Sequence, residues 1–157
     1  MKSRILVVDD DRSILELLRL LLESEGYQVQ AFDSAAAALK DALSRPPDAA
    51  VIDLMMPGMN GLDLIQALRY DPRTCILPIL VCSAYSGDLP RSLLDPERDR
   101  VLYLRKPFHI QELLDAVSRL ITRPRRRPCS NGRRTPRKPP TDTPAPARRK
   151  AGSGSRS

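Results

Sequence analysis

The chain is poor in cysteine and histidine. Its 157 residues include three cysteines, at positions 75, 82 and 129, and one histidine, without Cys-x-x-Cys or Cys/His spacing. This composition argues against a zinc site and against a disulfide framework. We therefore expect free thiols, with Cys82 a small core residue because it lies in an apolar run.

Long apolar runs are also missing. The longest uncharged stretch, residues 74–87, has 14 residues and contains Pro78, which is too short for a membrane span. Near the N-terminus, four apolar residues from Ile5 to Val8 precede a series of acids, and four are too few for the apolar region of a signal peptide. We therefore predict a cytoplasmic protein without membrane association.

Acidic residues are nearly absent from residues 123–157, which contain 12 lysines and arginines and only Asp142. Residues 1–122 contain 14 basic and 18 acidic residues, a net charge of −4. Ile121 is the last large apolar residue, so the basic segment cannot offset its ordering entropy by burial. We predict a folded domain over residues 1–122 and a disordered, Pro- and Arg-rich basic tail over 123–157.

Within residues 1–122, five apolar runs alternate with segments of helical periodicity. The predicted strands are Ile5–Val8, Tyr27–Ala31, Ala49–Ile52, Ile79–Cys82 and Val101–Leu104. The predicted helices are Arg12–Glu25, Ser34–Ser44, Leu62–Tyr70 and Ile110–Ile121, with at most a short helix around Arg91–Asp95 between Pro90 and Pro96. This alternation predicts an α/β fold whose parallel sheet is covered by helices on both faces.

Carboxylates follow two of the predicted strands. The first apolar run ends in Asp9, Asp10 and Asp11, and the third ends in Asp53. Open α/β sheets place ligand sites at the carboxyl ends of strands, so these acids should meet at one edge. Their mutual repulsion is tolerable if the carboxylates point into water or if they share a hard cation with oxygen ligands, such as Mg2+.

Further landmarks follow in a definite order. They are the Met56-Pro57-Gly58-Met59-Asn60-Gly61 loop, Ser83-Ala84 after the fourth strand, Tyr103, and Lys106-Pro107-Phe108 after the fifth. Spacings of 43, 30 and 23 residues separate Asp10, Asp53, Ser83 and Lys106. Over residues 3–122, this pattern resembles the receiver domain of two-component response regulators.

The resemblance implies a doubly wound, flavodoxin-like sheet of five parallel strands in the order 2-1-3-4-5. It also implies that Asp53 accepts a phosphoryl group from a sensor histidine kinase or a phosphotransfer protein. Asp9, Asp10, Asp53 and the backbone carbonyl of Met55 would hold Mg2+. Such a domain is a phosphoacceptor with at most self-phosphorylation and autodephosphorylation activity, and is not otherwise an enzyme.

The resemblance implies a signalling switch as well. Lys106 would pair with one phosphoryl oxygen and Ser83 would donate a hydrogen bond to another, while the small Ala84 leaves the approach open. Movement of Ser83 would vacate space into which Tyr103 turns, which would alter the surface seen by a downstream protein target. The receiver would act as a monomer or as a phosphorylation-dependent dimer.

Two other functions fit parts of the sequence. Asp9-x-Asp11 after a strand also resembles the first motif of haloacid-dehalogenase-like phosphatases, although the loop after Asp53 has no place in that motif. The tail could instead be a nucleic-acid-binding arm on an inert receiver; it lacks aromatic residues, so any contact would be electrostatic and sequence-tolerant. A solvated tail without function is the remaining interpretation.

Two local features complete the predictions. His109 opens the last helix, where we expect exposure or capping and no chemistry. The segment Glu97–Arg100 replaces the Ala/Gly-containing turn that is usual in this family ahead of the fifth strand. Because this region forms the usual signalling face, we expect an unusual partner surface.

Overall fold

The computed structural model describes residues 1–84 and 100–122. The strands of its five-stranded sheet are β1 Arg4–Val8, β2 Gln28–Phe32, β3 Ala49–Ile52, β4 Ile79–Ser83 and β5 Val101–Arg105. The described helices are α1 Arg12–Ser24, α2 Ala35–Ser44, α3 Gly61–Tyr70 and α4 Ile110–Thr122. The predicted elements in these ranges are confirmed, with ends that differ by at most one residue.

The sheet is parallel, and its strand order is β2-β1-β3-β4-β5, as predicted. Every residue of β1, β3 and β4 is buried. Their continuous runs of Val, Ile, Leu and Ala suit strands that are covered on both faces. The short helix predicted around Arg91–Asp95 and the predicted tail lie outside the described residues.

Helices cover the two faces separately. One core contains Ala38 of α2 and Leu64 of α3 packed on Leu6 and Ile52. The other contains residues of α1 and α4 on the opposite side of the same strands, among them Leu18 and Leu113 with Val7, Val51 and Leu80. The central strands therefore contribute alternate side chains to two cores, which holds their carboxyl ends in a common edge.

The cysteines differ from one another in state. Cys82 is free and 1% exposed, which confirms it as a core residue. Cys75 is disulfide-bonded, so the prediction of a free thiol is wrong there. Among the described residues, no helix has the length and hydropathy to cross a membrane.

Candidate functional site

Two buried carboxylates lie at the carboxyl edge of the sheet. The Asp9 amide donates to the Phe32 carbonyl oxygen at 3.2 Å, and the Asp53 amide donates to the Val8 carbonyl oxygen at 2.9 Å. These bonds continue the strand ladders by one residue and so fix where the two side chains begin. Asp9 is 2% exposed and Asp53 is 6% exposed.

The exposed Asp10 completes an acidic group. One ligand atom each from Asp9, Asp10 and Asp53 lie within 4.8 Å of one another. Carboxylate oxygens are the ligands that hard divalent cations prefer, and an exposed member leaves room for waters. The three residues therefore lie together at the sheet edge, as predicted, and their oxygens form a donor set that suits Mg2+.

Lys106 brings a positive charge to the buried pair. Its Nζ donates to Asp9 Oδ2 at 2.6 Å and to Asp53 Oδ2 at 3.1 Å. Its backbone amide donates to the Ser83 carbonyl oxygen at 3.0 Å, which extends the pairing of β5 with β4 beyond Arg105. The edge strand thus places an ammonium group between carboxylates from β1 and β3.

This arrangement shifts the pKa of both kinds of group. Burial raises the pKa of Asp9 above its ordinary value, and this effect exceeds the lowering caused by the hydrogen bond from Lys106. For Lys106, burial is the largest single effect and lowers its pKa, but the hydrogen bonds and charges of Asp9 and Asp53 together outweigh it. Its pKa is therefore raised, and the ammonium stays protonated at neutral pH.

The backbone orients the other oxygen of each carboxylate. Asp9 Oδ1 accepts from the Asp11 amide at 2.9 Å, and Asp53 Oδ1 accepts from the Met55 amide at 3.1 Å. Each side chain is therefore held by a main-chain donor at one oxygen and by Lys106 at the other. Such fixed dipoles and charges need little reorganisation during a reaction.

Ser83, Ala84 and Tyr103 lie beside Lys106 along β4 and β5. Ser83 is fully buried, whereas Ala84 is exposed. The Tyr103 hydroxyl donates to the Ser83 carbonyl oxygen at 3.2 Å, and the ring is 38% exposed. Tyr103 is therefore not a core residue, and it contacts the end of β4, where the Lys106 amide also bonds the Ser83 carbonyl oxygen.

Other residues near the strand ends have local roles. Asp11 caps α1, where its Oδ1 accepts from the amides of Ser13 at 2.8 Å and Ile14 at 3.3 Å. It is absent from the metal-compatible group of the described residues. His109 is exposed, as predicted, and its amide donates to Glu112 Oε2 at 2.9 Å.

One residue at the site was noticed in the sequence only as part of a loop motif. Gly61, the first residue of α3, packs against the backbone of Asp53 and Leu54. Asn60 caps this helix with its side chain on the Asp63 amide, and Asp63 Oδ2 accepts from the Asn60 amide. A glycine directly after a capping residue was the only signal of a close approach there.

The family model for the response regulator receiver domain matches residues 5–118. The chain belongs to the response regulator receiver family. Its members are phosphoacceptors of two-component signal transduction systems, so the principal prediction holds. The alternatives of a haloacid-dehalogenase-like phosphatase and of an inert receiver do not.

Sequence relatives are response regulators that bind DNA. DNA-binding response regulator MtrA of Mycobacterium tuberculosis is 38% identical over 117 residues, which cover 74% of this chain and 50% of MtrA. The transcriptional regulator RpaA of Synechocystis is 35% identical over 125 residues, which cover 80% of this chain and 52% of RpaA. This chain spans about half the length of the curated relatives it matches.

Solved receivers share the fold. The response regulator TrrA from Thermotoga maritima, determined in complex with Mg2+-BeF, is 36% identical with a TM-score of 0.64, covering 76% of this chain and 99% of TrrA. A response regulator receiver domain protein from Clostridium thermocellum is 28% identical with a TM-score of 0.67, covering 77% and 95% of the two chains.

Proposed function

We propose that this receiver accepts a phosphoryl group on Asp53 from the phosphohistidine of a sensor histidine kinase or phosphotransfer protein, in a Mg2+-dependent reaction. One observation supports this most directly. Oδ2 of the buried Asp53 lies 3.1 Å from the Lys106 ammonium, and Asp53 shares with Asp9 and Asp10 a group of carboxylate oxygens that lie within 4.8 Å of one another. This combination pairs a nucleophile with charges that suit a phosphoryl group.

The transfer forms one bond and breaks another. An Asp53 carboxylate oxygen attacks phosphorus, the phosphorus–nitrogen bond of the donor breaks, and the electron pair remains on the imidazole nitrogen. An aspartyl phosphate results. Lys106, which pairs with Asp53 Oδ2 before the reaction, can then pair with a phosphoryl oxygen. The contact between Met55 N–H and Asp53 Oδ1 keeps the carboxylate plane oriented throughout.

Asp9, Asp10 and Asp53 supply the carboxylates for Mg2+, and the Met55 carbonyl supplies a fourth protein oxygen. When bound, the ion neutralises charge that would otherwise repel the incoming phosphoryl group. Exposed Asp10 faces solvent while Asp9 is buried beneath it. The exposed side of the acidic group is therefore accessible to the phosphoryl donor.

The response would pass through Ser83 and Tyr103 to a downstream protein. The Ser83 hydroxyl would donate to a phosphoryl oxygen, with Ala84 leaving the approach open. Tyr103 already bonds the Ser83 carbonyl oxygen at 3.2 Å, so a shift of Ser83 changes the contact that holds the ring. A partly exposed aromatic ring that moves between two positions would change the surface that a downstream protein contacts.

The acceptor is tested by incubation with acetyl phosphate and Mg2+, followed by mass spectrometry. The wild type should gain one phosphoryl group, and Asp53→Asn should gain none. Asp115→Asn, which removes an exposed carboxylate on α4, serves as the matched control and should label like the wild type. Equal labelling of Asp53→Asn would exclude Asp53 as the acceptor.

A second function is favoured by the charge of residues 123–157, which hold 12 basic residues and one acid. We propose that this segment binds polyanions such as DNA or RNA without sequence preference, through counterion release. Binding to unrelated duplexes should be equal and should fall by orders of magnitude between about 50 and 200 mM salt. Absence of binding at low salt, or its persistence after truncation at Thr122, would contradict the proposal.

A further inference from the structure

Gly61 leaves no room for a side chain. A Cβ atom built on it would lie 2.1 Å from the Asp53 carbonyl oxygen and 2.8 Å from Leu54 Cα, both backbone atoms. Ordinary contacts of a Cβ begin near 3.4 Å, so a methyl group would require a shift of more than 1 Å. The start of α3 is thus pressed against the peptide that follows the phosphoacceptor.

The other described glycines differ in kind. Gly26 and Gly58 have φ angles of +88° and +75°, and a Cβ on either would meet nothing within 4 Å. Glycine is favoured there by backbone conformation. At Gly61, glycine is required because a side chain would not fit. The atoms that occupy the space belong to the backbone of the candidate phosphoacceptor, Asp53, and of the next residue.

Hydrogen bonds hold the close approach in place. The Gly61 amide and the Met56 amide both donate to the Leu54 carbonyl oxygen at 3.2 Å. Asn60 accepts from the Asp63 amide at 2.9 Å, which fixes the first turn of α3. The peptide after Asp53 is therefore clamped by the helix that follows it.

On its other side, Asp53 is held to β1, because its amide donates a hydrogen bond to the Val8 carbonyl oxygen at 2.9 Å. We infer that Gly61 is a positioning residue for phosphoryl transfer: its missing side chain lets α3 set the Asp53 carboxylate and the Met55 carbonyl against Asp9 and Asp10. This inference rests on the proposed function of Asp53. It adds a determinant of reaction rate that makes no contact with the phosphoryl group.

The expected cost of a methyl group follows from geometry. Misplacement of a reacting group by about 1 Å can slow a reaction about 100-fold. Displacement of a ligand's support typically weakens metal binding about 10- to 100-fold. Helix propensity acts in the opposite direction, because alanine is a better helix former than glycine. A loss in Gly61→Ala therefore cannot be assigned to a weaker helix.

The test compares Gly61→Ala with Gly26→Ala in the full chain. Gly26 precedes β2 and so lies at the amino end of the strands, away from Asp53. Gly26→Ala strains a left-handed backbone position there without adding a contact. Circular dichroism establishes that each variant is folded at the assay temperature. Calorimetry gives the Mg2+ dissociation constant, and mass spectrometry gives the labelling rate with acetyl phosphate at saturating Mg2+.

Gly61→Ala should label about 100-fold more slowly even at saturating Mg2+ and bind the ion at least about 10-fold more weakly. Gly26→Ala should match the wild type in both measurements, although its midpoint of unfolding is lower. Wild-type binding and rate in folded Gly61→Ala would overturn the inference. Failure of the wild type itself to label on Asp53 would instead overturn the proposed function.

If Gly61→Ala does not fold, the same measurements are made on Asn60→Ala. This variant removes the cap that seats Gly61 and adds no atom against Asp53. A several-fold slower labelling rate at saturating Mg2+ is then expected, because the helix start is free to shift. A rate and an Mg2+ affinity equal to those of the wild type would overturn the inference in this case.

Discussion

Lys106 joins the two buried carboxylates of the candidate site. Its ammonium bonds Asp9 at 2.6 Å and Asp53 at 3.1 Å, and both carboxylates are almost completely buried. A buried charge that loses its partner is strongly destabilising, whereas an exposed pair contributes little. In the absence of metal, the chain's own lysine is the cation that compensates this cluster.

Lys106→Ala should therefore make the fold depend on Mg2+. In EDTA, we expect the free energy of unfolding to fall by about 2–4 kcal/mol, because the buried carboxylates repel each other without compensation. Added Mg2+ should recover much of this loss and raise the unfolding midpoint more than it does in the wild type. Lys40→Ala, at an exposed lysine, is the control. If Lys106→Ala and the wild type have the same free energy of unfolding in EDTA, the prediction is contradicted.

The loss of stability in Lys106→Ala should also depend on pH. Burial already raises the pKa of Asp9 in the folded state above the ordinary 3.8, and loss of Lys106 removes an effect that lowers it. A carboxyl group whose pKa is higher in the folded state than in the unfolded state lowers the free energy of unfolding at pH values above its folded pKa. This cost disappears at low pH, where the group is protonated in both states. In EDTA, the difference in free energy of unfolding between Lys106→Ala and the wild type should therefore become smaller as pH falls from 7 toward 4. A gap that widens on acidification would contradict this assignment.

Ser83→Ala should separate phosphorylation from signalling. The hydroxyl is not the nucleophile, so the variant should still gain a phosphoryl group on Asp53, at a reduced rate. It should lose the phosphorylation-dependent NMR shift of the Tyr103 ring, because nothing draws Ser83 toward the phosphoryl group. Asp53→Asn provides the spectrum of a site that cannot be phosphorylated. A full wild-type shift in Ser83→Ala would contradict the switch.

At the scale of elements, Arg4 joins the start of β1 to the end of α2 and the loop beyond it. Its guanidinium pairs with Asp41 and donates to the Arg45 carbonyl oxygen, and its amide donates to Asp48 Oδ2 at 2.8 Å. Its side chain is only 9% exposed. These contacts lie at the end of the sheet away from Asp53, and they tie α2 to β1.

Arg4→Ala should lower the free energy of unfolding by about 3 kcal/mol, since it removes a buried partner of Asp41. Arg19→Ala is the matched control: Arg19 pairs with Glu16 within the exposed face of α1, and its loss should change stability little. Urea denaturation measures both. The labelling rate of Asp53 in folded Arg4→Ala should equal that of the wild type. A slower rate would mean that the two ends of the sheet are coupled.

Most of the elements could be predicted from the sequence, because apolar periodicity reports directly on burial. Their ends depend on hydrogen bonds that periodicity does not show. Tyr27 was predicted to open β2, but its amide donates to the Leu22 carbonyl oxygen at 3.1 Å and closes the end of α1. The strand therefore begins at Gln28. Likewise, the cap at Asn60 starts α3 at Gly61, one residue earlier than predicted.

The candidate site was predictable in its members and not in its contacts. Their positions after strands singled out Asp9, Asp10 and Asp53, and the resemblance to receiver domains added Lys106; the structure brings these four residues together. The sequence did not reveal that Lys106 bonds two carboxylates at once, nor that a helix start presses on the Asp53 peptide. Both facts depend on distances between elements, which the sequence of each element does not contain.

For the chain taken together, the described core residues all lie within the part that precedes the basic segment. All of the described core residues of the two faces lie between Ile5 and Leu120. The relatives MtrA and RpaA are about twice as long as the region that matches this chain. The match therefore concerns the receiver domain and does not identify the downstream output of this protein.

A chain truncated after Thr122 should keep the stability and the chemistry of the receiver. The cores and the acidic group are built from residues before that point, so the urea midpoint and the rate of Asp53 labelling should match the full chain. Reduced full-length protein should be compared as well, because Cys75 is disulfide-bonded. A large loss of stability in the truncated chain, measured under reducing conditions for both, would show that residues 123–157 contribute to the fold.

The ion pair between Asp9 and Lys106 joins residues that are 97 positions apart. In a chain emerging from the ribosome, the three carboxylates are released long before the lysine, and β5 is the last strand added to the edge of the sheet. Domains generally fold as units during synthesis. A chain interrupted before β5 would therefore carry its acids without their cation. We therefore expect incomplete translation products that end before β5 not to accept a phosphoryl group.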